Sequence, residues 1–332
     1  MGERAAIDPF EVDSIADLAR VLDRLRRRAA GPGQVRLSVR ELAARTDLAP
    51  STLHPYLQGR RLCPEDTYER ILLALGVVRD ELRPWLDAWE RIAESGAIPP
   101  AARDVPIPVS VQHEIRYRLK EPTLSGDSRI GFITGRLRRV QNVEVWVNSE
   151  NTQMQMARFE EFSVSAIIRY DGAIKDRNGR VLHDVIAEEL ESKVGGHRPV
   201  PAGTAIVTGP GDLAKSNGVD YVVHVAAVAG EPGAGYRQIR DVARCLTNAC
   251  AEAERLCAED GVARSILFPL LGTGTGGGAP RPTVDALLGA AVDHFATCSS
   301  RIRNLYFLAY SVQDLEVCRD AFDACARIAP AD

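Results

Sequence analysis

The chain has 332 residues, 45% hydrophobic and 26% charged, with a formal net charge of −4. That length suffices for two domains with their own cores, and the composition is that of an ordinary globular protein. The balance excludes a polycation, so any affinity for nucleic acid has to come from a local patch.

No stretch reads as a signal peptide, and no apolar run is long enough to span a bilayer. A cytoplasmic protein without a membrane partner is therefore expected. The seven cysteines show no zinc spacing and no accompanying His pair. They read as reduced thiols, with no metal site.

Residues 1–97 read as all-helical. Ser14 caps a helix to Arg28, with Ile15, Leu18, Val21, Leu22 and Leu25 on its core face. Arg26, Arg27 and Arg28 read as its solvated end. Ser38 caps a second helix, Val39 to Arg45. After the turn Thr46–Pro50, Ser51 caps a third helix, Thr52 to Gln58. A fourth runs from Thr67 to the stop at Gly76, and a fifth covers Val78 to Ser95.

Two short helices joined by a short turn, the second rich in exposed polar groups, describe a helix-turn-helix. Leu42-Ala-Ala-Arg-Thr-Asp-Leu-Ala-Pro-Ser-Thr-Leu53, followed by Tyr56-Leu-Gln-Gly-Arg-Arg61, resembles the repressor-like helix-turn-helix family of bacterial regulators. The resemblance implies that the third helix enters the major groove of DNA. Ser51, Thr52, His54 and Gln58 would face bases or phosphates, and Arg60 and Arg61 would grip the backbone. Pro55 departs from the family's pattern. A helical bundle used for dimerisation or protein contact is the alternative.

Residues 98–110 are Pro-rich and mark a linker. Residues 111–332 alternate strands and helices. Strands are expected at Glu114–Leu119, Arg129–Gly135, Val143–Val147, Thr204–Gly209, Tyr221–Ala226, Ile266–Leu271 and Asn304–Tyr310. Helices are expected at Ser163–Tyr170, Val181–Lys193, Tyr236–Glu259, Thr283–Ala296 and Asp314–Ile328. This alternation predicts an α/β domain with a mixed sheet between helical layers, whose ligand lies beyond the carboxyl ends of the strands.

One of those ends is the stretch Ile266–Leu271 with its glycine-rich turn, Gly272-Thr-Gly-Thr-Gly-Gly-Gly278. Strand, glycine turn, helix is a geometry that holds phosphate. Glycine lets the backbone approach an anion, and free N–H groups and a helix N-terminus supply positive charge. No Lys-Ser or Lys-Thr follows, so it is not a Walker loop. The other notable end is Asn148-Ser-Glu-Asn151.

Four pieces in order resemble the macro domain, the family that binds ADP-ribose. Val147-Asn-Ser-Glu-Asn151 is similar to Val-Asn-Ala-Ala-Asn. Pro201-Ala-Gly-Thr-Ala-Ile-Val-Thr208 and Tyr221-Val-Val-His224 match the segments after it. Ser265-Ile-Leu-Phe-Pro-Leu-Leu-Gly-Thr-Gly274 resembles the diphosphate-binding turn. The resemblance implies that Gly272, Thr273, Gly274, Thr275 and Gly276 cradle a diphosphate, that Asn151 contacts the distal ribose, and that Asn148 braces the site. His224 and Trp146 are expected in the core.

The departures bear on function. The family's Asp that receives adenine is replaced by Arg136, which cannot accept a hydrogen bond. The family's first glycine loop is replaced by Thr152 to Ser165, with Met154, Met156, Phe159 and Phe162 as an apolar wall. The Asp that would help water attack aligns with Ser165. Glu150, Glu160 or Glu161 could substitute as a base, Glu150 being the best placed, and Arg158 and Arg169 could pair a ligand anion. The expectation is a homodimeric DNA-binding regulator that senses ADP-ribose or a derivative, without a cofactor. The alternative is an ADP-ribosyl hydrolase acting on protein or nucleic acid.

Overall fold

The computed structural model describes residues 9–331 except 10–11, 32, 47, 64, 79–80, 95–108, 110, 121–125, 160, 162, 177–180, 232–234 and 275. The expected linker, residues 98–110, lies outside the described residues apart from Val109. The chain divides into two compact units. One is Met1–Ile107 with Phe159–Phe162 and Lys175–His183. The other is Pro108–Arg158 with Ser163–Ile174 and Asp184–Asp332.

The first unit holds α1 (Ile15–Arg28), α2 (Val39–Thr46), α3 (Pro50–Leu57), α4 (Glu65–Ala74) and α5 (Leu82–Glu94). The Ser14 hydroxyl accepts from the Asp17 amide at the start of α1. At α2 the Ser38 hydroxyl accepts from the Glu41 amide while the Glu41 carboxylate accepts from the Ser38 amide, a reciprocal box. The apolar faces meet in one core that includes Leu18, Leu22, Leu42, Leu53, Tyr68, Leu72, Trp85 and Trp89. Trp89 donates its indole N–H to the Cys63 carbonyl at 2.8 Å.

Two expectations for this unit need correction. Helix α3 starts at Pro50 with Ala49 as an N-cap that makes no side-chain bond, so Ser51 is not the cap. Proline suits the first helical position because that N–H has no intrahelical partner. Arg26 is not part of a solvated helix end: it is buried, and its Nε and Nη2 donate to the Leu37 carbonyl at 3.0 and 2.6 Å. That contact satisfies a carbonyl in the turn leading to α2.

The rest of the chain forms, in order, β1 (Glu114–Leu119), β2 (Arg129–Thr134), β3 (Val145–Asn151), α6 (Val164–Gly172), β4 (Ile174–Lys175), β5 (Val181–His183), α7 (Val185–Val194), β6 (Ala205–Thr208), α8 (Leu213–Asn217), β7 (Tyr221–Glu231), β8 (Gly235–Gln238), α9 (Ala243–Asp260), β9 (Ser265–Phe268), α10 (Pro280–Thr297), β10 (Asn304–Ala309), α11 (Val312–Ala324) and β11 (Ile328–Pro330). The main sheet runs β11-β1-β2-β10-β9-β3-β7-β6, with β8 also paired to β7. Its centre, β2 through β7, is parallel, and its flanks are antiparallel. This is the mixed sheet the alternation predicts.

The sheet is covered on both faces, which is why its central strands are apolar on alternate residues in both directions. On β3, Val145 and Val147 join the core made with α9, α10 and α11. Trp146 joins the opposite core, with Ile168 of α6 and Ile186 and Leu190 of α7.

The structure splits two expected helices. Val181–His183 pairs with β4 as a strand, and α7 begins only after Asp184. Tyr236–Gln238 belongs to β8, hairpinned onto β7, and α9 begins at Ala243. Gly235, at φ +91°, permits that hairpin turn. Strand β9 stops at Phe268 because Pro269 cannot donate to a neighbouring strand.

Candidate functional site

The glycine turn leaves β9 at its carboxyl end and enters α10. Thr273 closes onto the Leu270 carbonyl through both its amide (3.3 Å) and its hydroxyl (2.8 Å). The Gly277 amide donates to the Gly274 carbonyl, and the Gly278 amide to the Gly272 carbonyl, both at 3.0 Å. The amides of Gly272, Gly274 and Gly276 donate to no group among the described residues. Unpaired backbone donors close together in one turn are the raw material of an anion-binding nest. Thr275, also expected to contribute, lies outside the described residues.

The turn's glycines differ in what surrounds them. A Cβ on Gly276 would stand 2.6 Å from Val228 Cγ1 and 2.7 Å from the Gly272 carbonyl oxygen. A Cβ on Gly278 would stand 2.4 Å from Gln238 Cδ. At Gly274 nothing lies within 4 Å, so this residue faces open space. The helix contributes differently from expectation. Pro280 and Pro282 have no N–H, and the Thr283 amide returns to the Ala279 carbonyl. The first turn of α10 therefore adds its dipole more than its donors.

At the end of β3, a polar chain runs through the interior. Asn148 Nδ2 donates to Glu150 Oε1 at 2.6 Å and lies 3.3 Å from His224 Nδ1. Nε2 of the same ring lies 2.9 Å from Thr208 Oγ1. Asn148 and His224 are fully buried, so His224 is the core histidine expected, and Trp146 beside it is core as well. A β-bulge separates Glu150 from Asn151 and redirects the chain into the loop.

That loop is tied down at three points. Asn151 Oδ1 accepts from the amides of Gln153 (2.8 Å) and Gln155 (3.4 Å), and its Nδ2 donates to the Gln155 carbonyl at 3.0 Å. The Ser165 hydroxyl donates to Glu150 Oε1 and accepts from the Ala157 amide. Arg169 pairs with Asp184 at 2.7 Å and donates to the Ala157 carbonyl at 2.9 Å. Asn151, Glu150, Ser165 and Arg169 are thus engaged in holding the loop. Met154 and Met156 are buried beneath it, Met154 at φ +50°.

Arg136, next to Gly135 at the exit of β2, is buried at 3% exposure. Arg158 and Glu161 are exposed, and Glu160 lies outside the described residues. A separate cleft of about 700 Å³ at the amino ends of β9 and β10 is lined by Arg264, Arg301 and Arg303. Helices α9 and α10 end there, and cations at helix C-termini offset the exposed carbonyls.

On the helical unit, Ser51, His54 and Gln58 of the α3 region and Arg60 and Arg61 beyond it are exposed, with Thr52 half-buried. Leu53 anchors α3 in the core, and Gly59 passes within 3.2 Å of Ala19 on α1, measured from where its Cβ would stand. Pro55 sits inside α3 without breaking it, and its carbonyl accepts from the Arg60 amide at 2.9 Å. Five of the six residues expected at DNA are thus exposed, and Thr52 is partly so. Gln238, which sequence reading assigned to a helix, touches both ends of the glycine turn. The alternation of Tyr236 and Gln238 after Gly235 was the available signal.

Residues 17–85 match the family model of a helix-turn-helix domain, and residues 147–287 match that of the macro domain. Among solved structures, the chain is similar to the Oceanobacillus iheyensis macrodomain with ADP, at 16% identity and a TM-score of 0.46, covering 64% of this chain and 97% of that one. It is also similar to the Trypanosoma brucei macrodomain in complex with ADP-ribose, at 17% identity and a TM-score of 0.42, covering 57% of this chain and 68% of that one. No curated protein matches the chain.

Proposed function

We propose that this chain, which joins a helix-turn-helix domain to a macro domain, is a DNA-binding regulator whose macro domain holds ADP-ribose or an ADP-ribose-derived nucleotide as its signal. One observation carries the reading. In the turn after β9 the amides of Gly272, Gly274 and Gly276 have no partner among the described residues, and Gly274 is exposed with open space around it. Gly272, Thr273, Gly274 and Gly276, with Thr275, are the residues proposed to hold the diphosphate. Asn148 acts from the interior as a brace. Asn151 acts by shaping the loop and presenting its backbone, because its side chain is already bonded.

The state of Glu150 supports binding over turnover. A general base needs a carboxylate oxygen within reach of water or substrate. Glu150 is 2% exposed, and its Oε1 accepts from both Asn148 and Ser165. Arg136 in place of the adenine-binding acid supports a base that is held differently or replaced, and the altered loop after β3 supports a ligand whose distal end differs from that of plain ADP-ribose.

On DNA, Gln58, His54, Ser51 and Thr52 read the major groove, and Arg60 and Arg61 hold phosphates. The working form is a homodimer on a two-fold operator. Ligand regulates it by binding one operator-affinity state better than the other.

The test is calorimetric titration of ADP-ribose into the full chain, with product analysis of the same samples, followed by DNA binding with and without ligand. Saturable binding without product, and an operator affinity that changes with ligand, are expected. Product formation would install the hydrolase reading instead, and absence of binding would remove ADP-ribose itself as the signal.

A further inference from the structure

Gln238 is the last residue of β8, and it reaches the glycine turn from outside it in sequence. Its backbone amide donates to the Gly276 carbonyl at 2.8 Å. Its Nε2 donates to the Leu271 carbonyl at 2.7 Å and to Thr283 Oγ1 at 2.8 Å. One side chain therefore ties the entry of the turn to the first turn of α10, while its own backbone holds the middle.

The packing follows the same residue. A Cβ on Gly272 would stand 2.8 Å from Gln238 Cγ, and one on Gly278 would stand 2.4 to 2.6 Å from the three heavy atoms of the Gln238 amide group. Gly274 and Gly277 have nothing within 4 Å. The motif thus contains three kinds of glycine, Gly276 being set apart by its packing against Val228 and the Gly272 carbonyl. Those at 272 and 278 make room for Gln238, and those at 274 and 277 face open space.

We propose that Gln238 is the positioning residue that sets the glycine turn in its anion-holding shape, and that Gly278 is glycine to admit the Gln238 amide and not to admit the ligand. The proposal rests on reading the turn as the diphosphate site. Without the Nε2 bonds, the Leu271 carbonyl and the Thr283 hydroxyl lose their shared donor. The turn is then closed only by its own backbone bonds, Gly277 to Gly274 and Gly278 to Gly272, and the amides of Gly272, Gly274 and Gly276 are less firmly placed. Preorganised donors bind an anion without an ordering cost, so loosening them weakens affinity.

The experiment is a double-mutant cycle in the full chain: Gln238→Ala, Gly278→Ala, and both together. Affinity for ADP-ribose is read by calorimetry well below each variant's melting temperature. Each single change is expected to weaken binding roughly five- to tenfold, the value of one or two lost hydrogen bonds. The double variant is expected to bind no worse than Gln238→Ala, because the added methyl no longer meets the amide. Penalties that add would overturn the proposal, since they would mean the ligand itself approaches Gly278.

A second readout needs no nucleotide. Amide hydrogen exchange at Gly277 and Gly278, whose N–H groups close the turn, should accelerate at least tenfold in Gln238→Ala. Gln238→Met, which keeps the bulk and loses the donors, should behave likewise. Unchanged exchange in both variants would sink the proposal. If the wild-type chain does not bind ADP-ribose, the proposed ligand falls while exchange still decides the role of Gln238.

Discussion

The hydroxyl of Ser165, at the start of α6, donates to Oε1 of Glu150 on β3 at 2.7 Å and accepts from the Ala157 amide at 3.0 Å. One hydroxyl therefore links a strand-end carboxylate to the middle of the loop that follows β3.

Ser165→Ala should break that link. It leaves the Ala157 amide without its acceptor and Glu150 with one donor fewer, at a cost of about 1–3 kcal/mol. Chemical denaturation of the full chain, with hydrogen exchange over residues 152–158, measures it. Ser165→Asp restores the acid that the macro resemblance leads one to expect. It also sets a second carboxylate against a buried one, so reduced stability without ADP-ribose turnover is expected. A folded Ser165→Asp that releases product would overturn the structural role given to Glu150.

Gly274→Glu should abolish nucleotide binding and leave the fold intact. The position is exposed, with nothing within 4 Å of where a Cβ would stand, so the side chain fits. Its charge then faces the amides meant for a phosphate. The expected result is at least a hundredfold loss of ADP-ribose affinity with an unchanged melting temperature. Gly276→Ala should differ by lowering both, because its Cβ would strike Val228 and the Gly272 carbonyl.

Arg60→Ala and Arg61→Ala test the helical unit. Both residues are exposed just beyond α3. A residue that neutralises one phosphate contributes about 0.9 to the slope of log affinity against log salt. Each substitution should lower that slope by about one and weaken all duplexes alike. Gln58→Ala, if it reads a base, should weaken only the preferred site. Equal salt slopes in wild type and both arginine variants would remove these residues from the interface.

Glu254 on α9 predicts an acid-side effect. Burial pushes its carboxyl up, but bonds from the His294 ring, the Ser300 hydroxyl and the Arg301 amide outweigh this and hold it at about 2, against an ordinary 4.5. The folded form therefore keeps the group ionised where the unfolded chain would protonate it. Its stabilising effect is complete above about pH 4.5 and is lost as pH falls toward 2. Urea midpoints of Glu254→Gln should lie below wild type at pH 7, and the gap should narrow steadily between pH 4.5 and pH 3. A constant gap would show that the carboxylate's ionisation plays no part.

Much of the site was readable from the sequence. The glycine turn, the strand before it and the helix after it follow from an apolar run, a cluster of glycines and an amphipathic stretch from Thr283, although the helix itself begins earlier, at Pro280. His224 was expected in the core from the resemblance carried by Tyr221-Val-Val-His224, and it is buried there. Arg26 was misjudged, because a run of three arginines at a helix end carries no sign of which one turns inward to the Leu37 carbonyl. The first turns of the expected helix at 236–259 were misjudged because β8 is only four residues long. Its strand identity comes from pairing with β7, not from its own composition.

By itself the sequence determined which segments are strand and helix over most of their length, and where a glycine-rich turn joins a strand to a helix. Those properties are local: side-chain period, caps, prolines and glycines act on their immediate neighbours. Only the tertiary structure decided which polar groups remain available. Asn148 and His224 are 76 positions apart, Gln238 and Thr283 are 45 apart, and Glu150 and Ser165 are 15 apart. Asn148 and His224 meet because β3 pairs with β7, the other two because a helix packs its first turn against a strand end, and a bond made there removes that group from the chemistry its sequence position suggests. Asn151, read as a ribose contact, closes its own loop, and Glu150, read as a candidate base, anchors one. Gln238 was read as an ordinary helical residue, yet it lies against the turn where the ligand is proposed to sit.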